Sequence, residues 1–295
     1  MGDNVPSGVI MMRLISILAL LIALGAGSAA QTPLLDIGSQ RQLFLDNSWF
    51  EAKQNLQMRL HAPEIREVAI ASDRPWEKGG IHYSSVIQDG PLYRMWYRAD
   101  DGSEKPDASS TCYAESRDGI HWTKPDFGKV EFAGSRANNI MGRREFFNAS
   151  VLLDPNANPG SVGRYKMITQ YRGITGYLSP NGFDWTPAQQ DPLVTEGPFD
   201  SHNTLLWDDE RTRYVIYLRG VDTSSGGPVL WDPQKRRYVH NQPDADRTGL
   251  NWGRRAIRRT ESADFRHWSR PELVLARDER DPICLLYTSP SPRDS

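Results

Sequence analysis

One hairpin is written three times in this chain, and that repetition restricts the fold more than any other feature. The first copy is YAESRDGIHWTKP, residues 113–125, built on Ser116, Asp118, Gly119, Trp122, Thr123 and Pro125. The second is YLSPNGFDWTP, with Ser179, Asn181, Gly182, Trp185, Thr186 and Pro187. The third is TESADFRHWSRP, with Ser262, Asp264, Phe265, Trp268, Ser269 and Pro271. In each copy the Trp lies six residues after the Ser, an Asp or Asn lies two after it, and a hydroxyl residue follows the Trp. Asp and Asn hydrogen-bond their own backbone and tolerate left-handed conformations, so the S-x-[DN] step closes a hairpin. The Trp then carries a large apolar face to bury beside it. Recurrence at intervals of 63 and 83 residues predicts a repeat architecture.

A second pattern precedes each hairpin and sets the size of the unit. SSVIQD (84–89) and YRMWYRA (93–99) come before the first copy, ASVLLD (149–154) and YKMITQYRG (165–173) before the second, and NTLLWD (203–208) and YVIYLRG (214–220) before the third. Short β-branched and aromatic runs ending in Asp and turn residues read as strands. The unit is therefore four strands: an apolar inner strand, an aromatic strand, a strand entering the turn, and an outer strand carrying the Trp. Such units fit the blades of an all-β β-propeller. A β-sandwich has strands at similar spacing but no reason to repeat one hairpin. The blades are expected over 80–127, 145–190 and 200–275, with almost no helix after residue 31, and with Trp122, Trp185 and Trp268 in equivalent places.

The remaining sequence sets the context. With 38% hydrophobic and 24% charged residues over 295 positions, the chain is long enough for a substantial core. Its 35 basic and 37 acidic residues give no electrostatic case for nucleic acid or an anionic membrane as partner. Residues 11–30, MMRLISILALLIALGAGSAA, have one Arg, an apolar run and a small-residue exit, the pattern of a secretory signal peptide. The region 1–30 is read as that signal, with a mature chain beginning near Gln31 and exported to the periplasm or beyond; an uncleaved anchor is the alternative. QLFLDNSWF, LQMRLHAP and EVAIA, between 42 and 71, read as two or three strands of the kind that close a propeller ring. Turn-rich connectors fill 128–142 and 188–199, and a polar insertion over 221–252 separates the second and third strands of the third unit.

The final residues, CLLYTSPSPRDS, continue no pattern. They resemble the peptide encoded by a sequencing adapter, so 283–295 is expected to be a non-native tail on a partial propeller spanning 31–282. No disulfide between Cys112 and Cys284 is inferred on that basis, despite the exported context.

Propellers bind ligands where the inner strands converge. Aligning the inner strands on Asp89, Asp154 and Asp208 brings His82, Tyr83 and Ser84 of the first unit level with Asn148 of the second and with Asp200, Ser201, His202 and Asn203 of the third. Strands bury apolar residues by default, so polar clusters at corresponding ends point to a binding site. Arg98, Arg172 and Arg219 each end a second strand, and their repetition argues for a structural role. No metal motif is present, since there is no H-E-x-x-H and the six His are scattered. No cofactor is expected; a carboxylate-bound Ca²⁺ is left open.

The YRMWYRA strand, the S-x-D-G-x-x-W hairpin, the tripeptide Glu196–Gly197–Pro198 and DSHNTLLWD resemble secreted five-bladed propellers related to glycoside hydrolase families 32 and 43, most of all a family 32-like branch. The resemblance covers 43–282 and implies a glycosidase acting on an oligo- or polysaccharide. The families it resembles use an Asp on the first inner strand, an Asp on the second and a Glu on the third. Here His82-Tyr83-Ser84 and Asn148 stand where the first two carboxylates would be, and only the third strand offers candidates, Glu196 and Asp200. Glycoside hydrolysis usually needs two carboxyl groups. Glu196 or Asp200 is the expected general acid. Asp73 is the preferred base or nucleophile among Asp73, Asp46, Asp100, Asp101 and Glu145, and His82, Tyr83, Asn148, His202 and Asn203 are the expected substrate-binding groups. The competing readings are a non-catalytic carbohydrate-binding propeller, a protein-interaction scaffold and a sialidase-like fold. The last is disfavoured because the Gly of the present motif falls one place too early for that fold's repeat.

Overall fold

The computed structural model describes residues 38, 50, 52–59, 61–105, 107–197, 199, 201–222, 229–232, 237–240 and 254–276, without the side chains of 221–222, 229–232, 237–240 and 254–255. The signal segment 1–30, the run 42–49, most of the long insertion and the tail 283–295 lie outside these residues. The chain divides into two units, 1–65 and 66–295.

The described part of the first unit contains neither strand nor helix, and none begins before Pro75 in the second. This corrects the expectation of strands over 42–71 for LQMRLHAP and EVAIA. An alternating pattern makes a strand only when its backbone groups pair and one face is covered. Leu56 is 49% and Val68 80% exposed, and Ile70 alone of EVAIA packs on the first-blade core, too little cover for a strand face.

The second unit is all-β, and its four-stranded antiparallel sheets are consecutive propeller blades. The first blade contains β1 (Gly80–Asp89), β2 (Leu92–Asp100), β3 (Ser109–Ser116) and β4 (Ile140–Gly142), paired in that order. The second contains β5 (Ser150–Leu153), β6 (Tyr165–Gln170), β7 (Ile174–Ser179) and β8 (Thr186–Pro187). The third runs β9 (Thr204–Asp208), β10 (Arg213–Asp222), β13 (Arg254–Ser262) and β14 (Glu272–Ala276). A separate hairpin of β11 (Val229–Asp232) and β12 (Arg237–His240) falls inside the expected insertion. Among the described residues the helical structure is limited to two three-residue turns, Pro75–Glu77 and Arg144–Phe146.

The repeated hairpin is the same object three times. Ser116 Oγ accepts from the amides of Asp118 and Gly119, and Asp118 Oδ1 accepts from those of Ile120 and His121. Ser179 and Asn181 repeat this with Gly182, Phe183 and Asp184, and Ser262 and Asp264 with Arg266 and His267. After the turn, Thr123, Thr186 and Ser269 return to pair beside Glu115, Leu178 and Glu261. Trp122 and Trp268 donate their indole N–H to the carbonyl three residues back, at 3.0 and 3.1 Å. The three Trp side chains each pack on a different core cluster, one per blade.

The outer strand departs from expectation. In the first blade the Trp-bearing segment pairs with β3 only around Thr123, and β4, after the excursion 124–138, pairs with the other half of β3. In the second blade Val194 plays the part of β4 by pairing with Ile174. In the first blade the segment leaves after Pro125, which lacks an amide donor, whereas in the second Pro187 is still opposite Tyr177 and the Ala188 amide still donates to the Gly176 carbonyl.

Blade contacts alternate along the second strands. Trp96 of β2 packs with Tyr113 against Val151, Tyr165 and Met167 of the second blade. Ile168 of β6 packs with Ile174 against Leu205, Tyr214 and Ile216 of the third. These middle strands are covered on both faces, which accounts for their near-continuous apolar sequence. A polar joint recurs at each interface. Arg94 lies 3.3 Å from Asp89 and over the rings of Tyr165 and Phe183, and Tyr165 donates to Asp89. Lys166 pairs with Asp154 and lies over Tyr214 and Phe265, and Tyr214 donates to Asp154 at 2.6 Å.

Candidate functional site

The inner strands β1, β5 and β9 are stitched directly to one another. Ser85 Oγ accepts from the Val151 amide at 2.9 Å, and Ser150, at the corresponding place on β5, accepts from the Leu205 amide at 3.1 Å. Just before these serines lie Tyr83, Asn148 and His202, each six residues before the Asp that ends its inner strand. Tyr83 and Asn148 both adopt left-handed backbone, φ 46° and 53°, and β1 changes register between His82 and Ser85. For a residue as bulky as Tyr this conformation costs about 1–2 kcal/mol, and such strain concentrates at functional sites.

Three side chains converge from there. The rings of Tyr83 and His202 stack, with centroids 5.8 Å apart and 26° between planes. Burial lowers the pKa of His202, partly opposed by the Ala149 carbonyl 3.2 Å from its Nε2. Asn148 is buried and donates to Gln170 Oε1 at 2.9 Å and to the Ser201 carbonyl at 3.4 Å. Arg98 joins the blades: it donates to Asn148 Oδ1 at 3.4 Å, lies 4.4 Å over the ring of Phe147, and pairs with Asp100 at 3.0 Å. His82 completes the row, its Nε2 3.4 Å from Asp100 Oδ2. A polar chain thus runs from His82 through Asp100, Arg98 and Asn148 to Gln170 and the third blade.

Of the expected binding groups, His82, Tyr83, Asn148 and His202 are brought together. Asn203 serves the scaffold instead: it is buried, donates to the Phe199 carbonyl at 2.9 Å and accepts from the Arg219 amide at 3.1 Å. The expected catalytic carboxylates fare differently. Asp200 lies outside the described residues. Asp73 sits at the outer edge of the first blade, 2.8 Å from Lys124, which follows the outer-strand residue Thr123; the Lys124 contact lowers its pKa. Its assignment as base or nucleophile at the inner ends is corrected, because the turn Pro75–Glu77 directs this segment over the outer sheet. Glu196 accepts from Arg270 Nε and Nη2, each at 3.0 Å, with Arg258 at 3.8 Å. A guanidinium only donates, so both carboxylate oxygens act as acceptors toward Arg270. Arg258 lies on the third strand of its blade and Arg270 follows Ser269 at the outer edge, so Glu196 straps two blades together rather than serving the inner ends.

Two further expectations change. The blade 2 counterpart of Arg98 and Arg219 is Gln170, because β6 ends there; Arg172 is an exposed residue in the following turn, with φ 58°. Asp100, one of several carboxyls considered from sequence, is the carboxylate that the fold places among the inner-strand groups. Among the described residues no group of three or more His, Cys, Asp or Glu is arranged to hold a metal ion. No described helix is long and apolar enough to cross a membrane.

No family model matches the chain. The uncharacterized protein Rv1502 of Mycobacterium tuberculosis (strain ATCC 25618 / H37Rv) is 43% identical over 143 residues, 45% of this chain and 41% of that protein. The chain therefore spans less than half the length of this curated relative. Among solved structures, a fructofuranosidase of Schwanniomyces occidentalis complexed with fructosylnystose is 13% identical, with a TM-score of 0.41 over 73% of this chain and 38% of that one. An exo-inulinase of Aspergillus awamori is 13% identical, with a TM-score of 0.41 over 71% of this chain and 41% of that one. Likenesses of this size assign neither activity nor substrate.

Proposed function

We propose that the chain is part of an exported, glycoside hydrolase-like propeller that takes an oligo- or polysaccharide at the ends of its inner strands. One observation carries this reading: equivalent positions on three inner strands present Tyr83, Asn148 and His202 to one place, two of them on strained backbone. A partly exposed Tyr ring offers an apolar face for a sugar, and the amide, imidazole and guanidinium groups around it suit hydroxyls. Asp200 is the proposed general acid. Its chain neighbour Ser201 accepts from Asn148, which ties that segment to the site. A non-catalytic carbohydrate-binding propeller is the second reading, favoured by the engagement of Glu196 with two arginines.

The test is a panel of fructans, arabinans, xylans and aryl glycosides, with binding followed by calorimetry and hydrolysis by released reducing ends. Tyr83→Ala and Asn148→Ala are expected to weaken binding at least tenfold. Binding without hydrolysis selects the second reading. Failure of the protein to bind any member of the panel rejects both.

A further inference from the structure

We propose that His82 is the proton-accepting group of this site and that Asp100 is its positioning residue, an assignment that rests on the carbohydrate reading above. The two residues meet because β1 and β2 pair with Gly80 opposite Asp100 and His82 opposite Arg98. The imidazole lies against Gly80: a Cβ there would stand 3.0 Å from His82 Nε2, and the φ of 113° admits only glycine comfortably. The ring is thus seated by backbone on one side and by Asp100 on the other.

The carboxylate itself is held by its neighbours on β2 and β3. Asp100 Oδ1 accepts from Ser109 Oγ and from Arg98 Nη2 at 3.2 Å, and Oδ2 faces Arg98 Nη2 at 3.0 Å and His82 Nε2 at 3.4 Å. Ser109 and Arg98 thus hold the carboxylate from its own blade and leave Oδ2 turned toward the ring. Asp100 faces Nε2, so a proton held there leaves Nδ1 as the lone pair, and no hydrogen bond engages Nδ1 among the described residues. The His82 side chain is 46% exposed, so that nitrogen is open to a water. The 3.4 Å separation is longer than a formed hydrogen bond, as catalytic contacts often are before substrate binds. The groups facing the ring are Asp100 and, behind it, Arg98 on β2, with the Tyr83 ring 6.4 Å away on β1.

In the proposed step a water bonds to the anomeric carbon and gives its proton to His82 Nδ1. The glycosidic C–O bond breaks with its electron pair on the departing oxygen, which takes a proton from solvent. The imidazolium then releases its proton to solvent. An imidazole would thereby stand in for the carboxylate missing from the first inner strand.

The experiment compares the protein with its His82→Gln and Asp100→Asn variants on the best substrate of the panel, measuring kcat and saccharide Kd. His82→Gln is expected to lower kcat by at least about 100-fold while leaving Kd within about threefold. Asp100→Asn is expected to lower kcat while leaving Kd within about threefold, because the imidazole loses the carboxylate that seats it; loss of packing alone would weaken binding in step with turnover. His82→Gln lies on an exposed side chain, so its result stands if Asp100→Asn fails to fold. Turnover kept by His82→Gln, or Kd lost in step with kcat, overturns the proposal. Saccharide binding without turnover by the unaltered protein also overturns it while leaving the carbohydrate reading in place; absence of binding overturns both.

Discussion

Tyr83 and Asn148 occupy the same station on successive inner strands, and both hold a left-handed backbone. In each case the turn aims a polar side chain across the blade boundary, Tyr83 toward His202 and Asn148 toward Arg98 and Ser201. The corresponding residue of the third blade, His202, reaches the same place without that backbone conformation. Asn tolerates left-handed geometry, whereas Tyr does not, so the first blade carries most of the strain.

The strain is separable from the contact. Tyr83→Gly removes a conformational cost of about 1–2 kcal/mol and adds back roughly 0.5–1 kcal/mol of unfolded-state entropy. The thermal midpoint is expected to stay the same or rise slightly, while saccharide affinity falls. A drop in stability of more than about 1 kcal/mol, measured by denaturant titration, would show that the ring is there for packing.

The three turns should differ in their response to acid. The hydrogen bond from the His121 ring, with those from the His121 and Ile120 amides, holds Asp118 well below the usual carboxylate range. The His267 amide and ring do the same for Asp264. Because an unfolded Asp titrates near about 3.9, the folded state keeps its charge where the unfolded chain takes up a proton. Their contribution is present above about pH 4 and drains away as pH falls through the folded values. Asn181 makes the same backbone bonds without titrating. Asp118→Asn and Asp264→Asn are expected to flatten the loss of thermal midpoint below about pH 4. His121, raised by Asp118, works in the opposite sense. Its contribution is present below about pH 6.5 and fades as pH rises through the folded value, a fade that His121→Gln should abolish.

The outer side of the first blade holds a buried ion pair. Glu77 is fully buried, accepts from Tyr97 Oη and Lys124 Nζ, each at 2.7 Å, and also accepts from the Asp73 and Arg74 amides. Glu77→Gln leaves the Lys124 ammonium, only 6% exposed, without its closest buried counter-ion. That is expected to cost about 3 kcal/mol or more in urea unfolding. Glu77→Gln with Lys124→Met should recover part of the loss, since removing both charges removes the unpaired one.

The repeat could be read from the chain because its turn chemistry is local: Ser116, Asp118 and Gly119 make their bonds within a few residues. The inner-strand ends were legible for the same reason, by counting back from Asp89, Asp154 and Asp208. What the letters concealed was radial position. Asp73 precedes the first inner strand by only a few residues and Glu196 precedes the third, yet both segments run over outer strands before the chain turns inward. Asp100 was one carboxyl among several until the β1–β2 register set it beside His82, although folding YSSVIQD back at Gly90 would have suggested the pairing. Arg172 looked like Arg98 because both stand before a small residue; the shorter β6 assigns that place to Gln170.

The third copy of the hairpin has Phe265 where the others have glycine, and the blade interfaces supply a reason. All three residues are left-handed, with φ 76° at Gly119, 80° at Gly182 and 66° at Phe265. At the first interface Trp96 is fully buried, donates its indole N–H to the Gly182 carbonyl, and lies 2.9 Å from where a Gly182 Cβ would be. At the second, the residue corresponding to Trp96 is the smaller Ile168, and the Phe265 ring is buried in that cluster. Large and small have exchanged sides across the joint. Gly182→Phe alone is expected to be severely destabilising, since the ring would meet Trp96. Trp96→Ile alone should cost about 2–4 kcal/mol for the cavity it leaves. The double variant rebuilds the second interface's arrangement in the first and should be more stable than Trp96→Ile by about 1 kcal/mol or more, a favourable coupling readable in a double-mutant cycle. Strictly additive losses would mean that the two substitutions do not share the space, and the exchange of volume would then not explain Phe265.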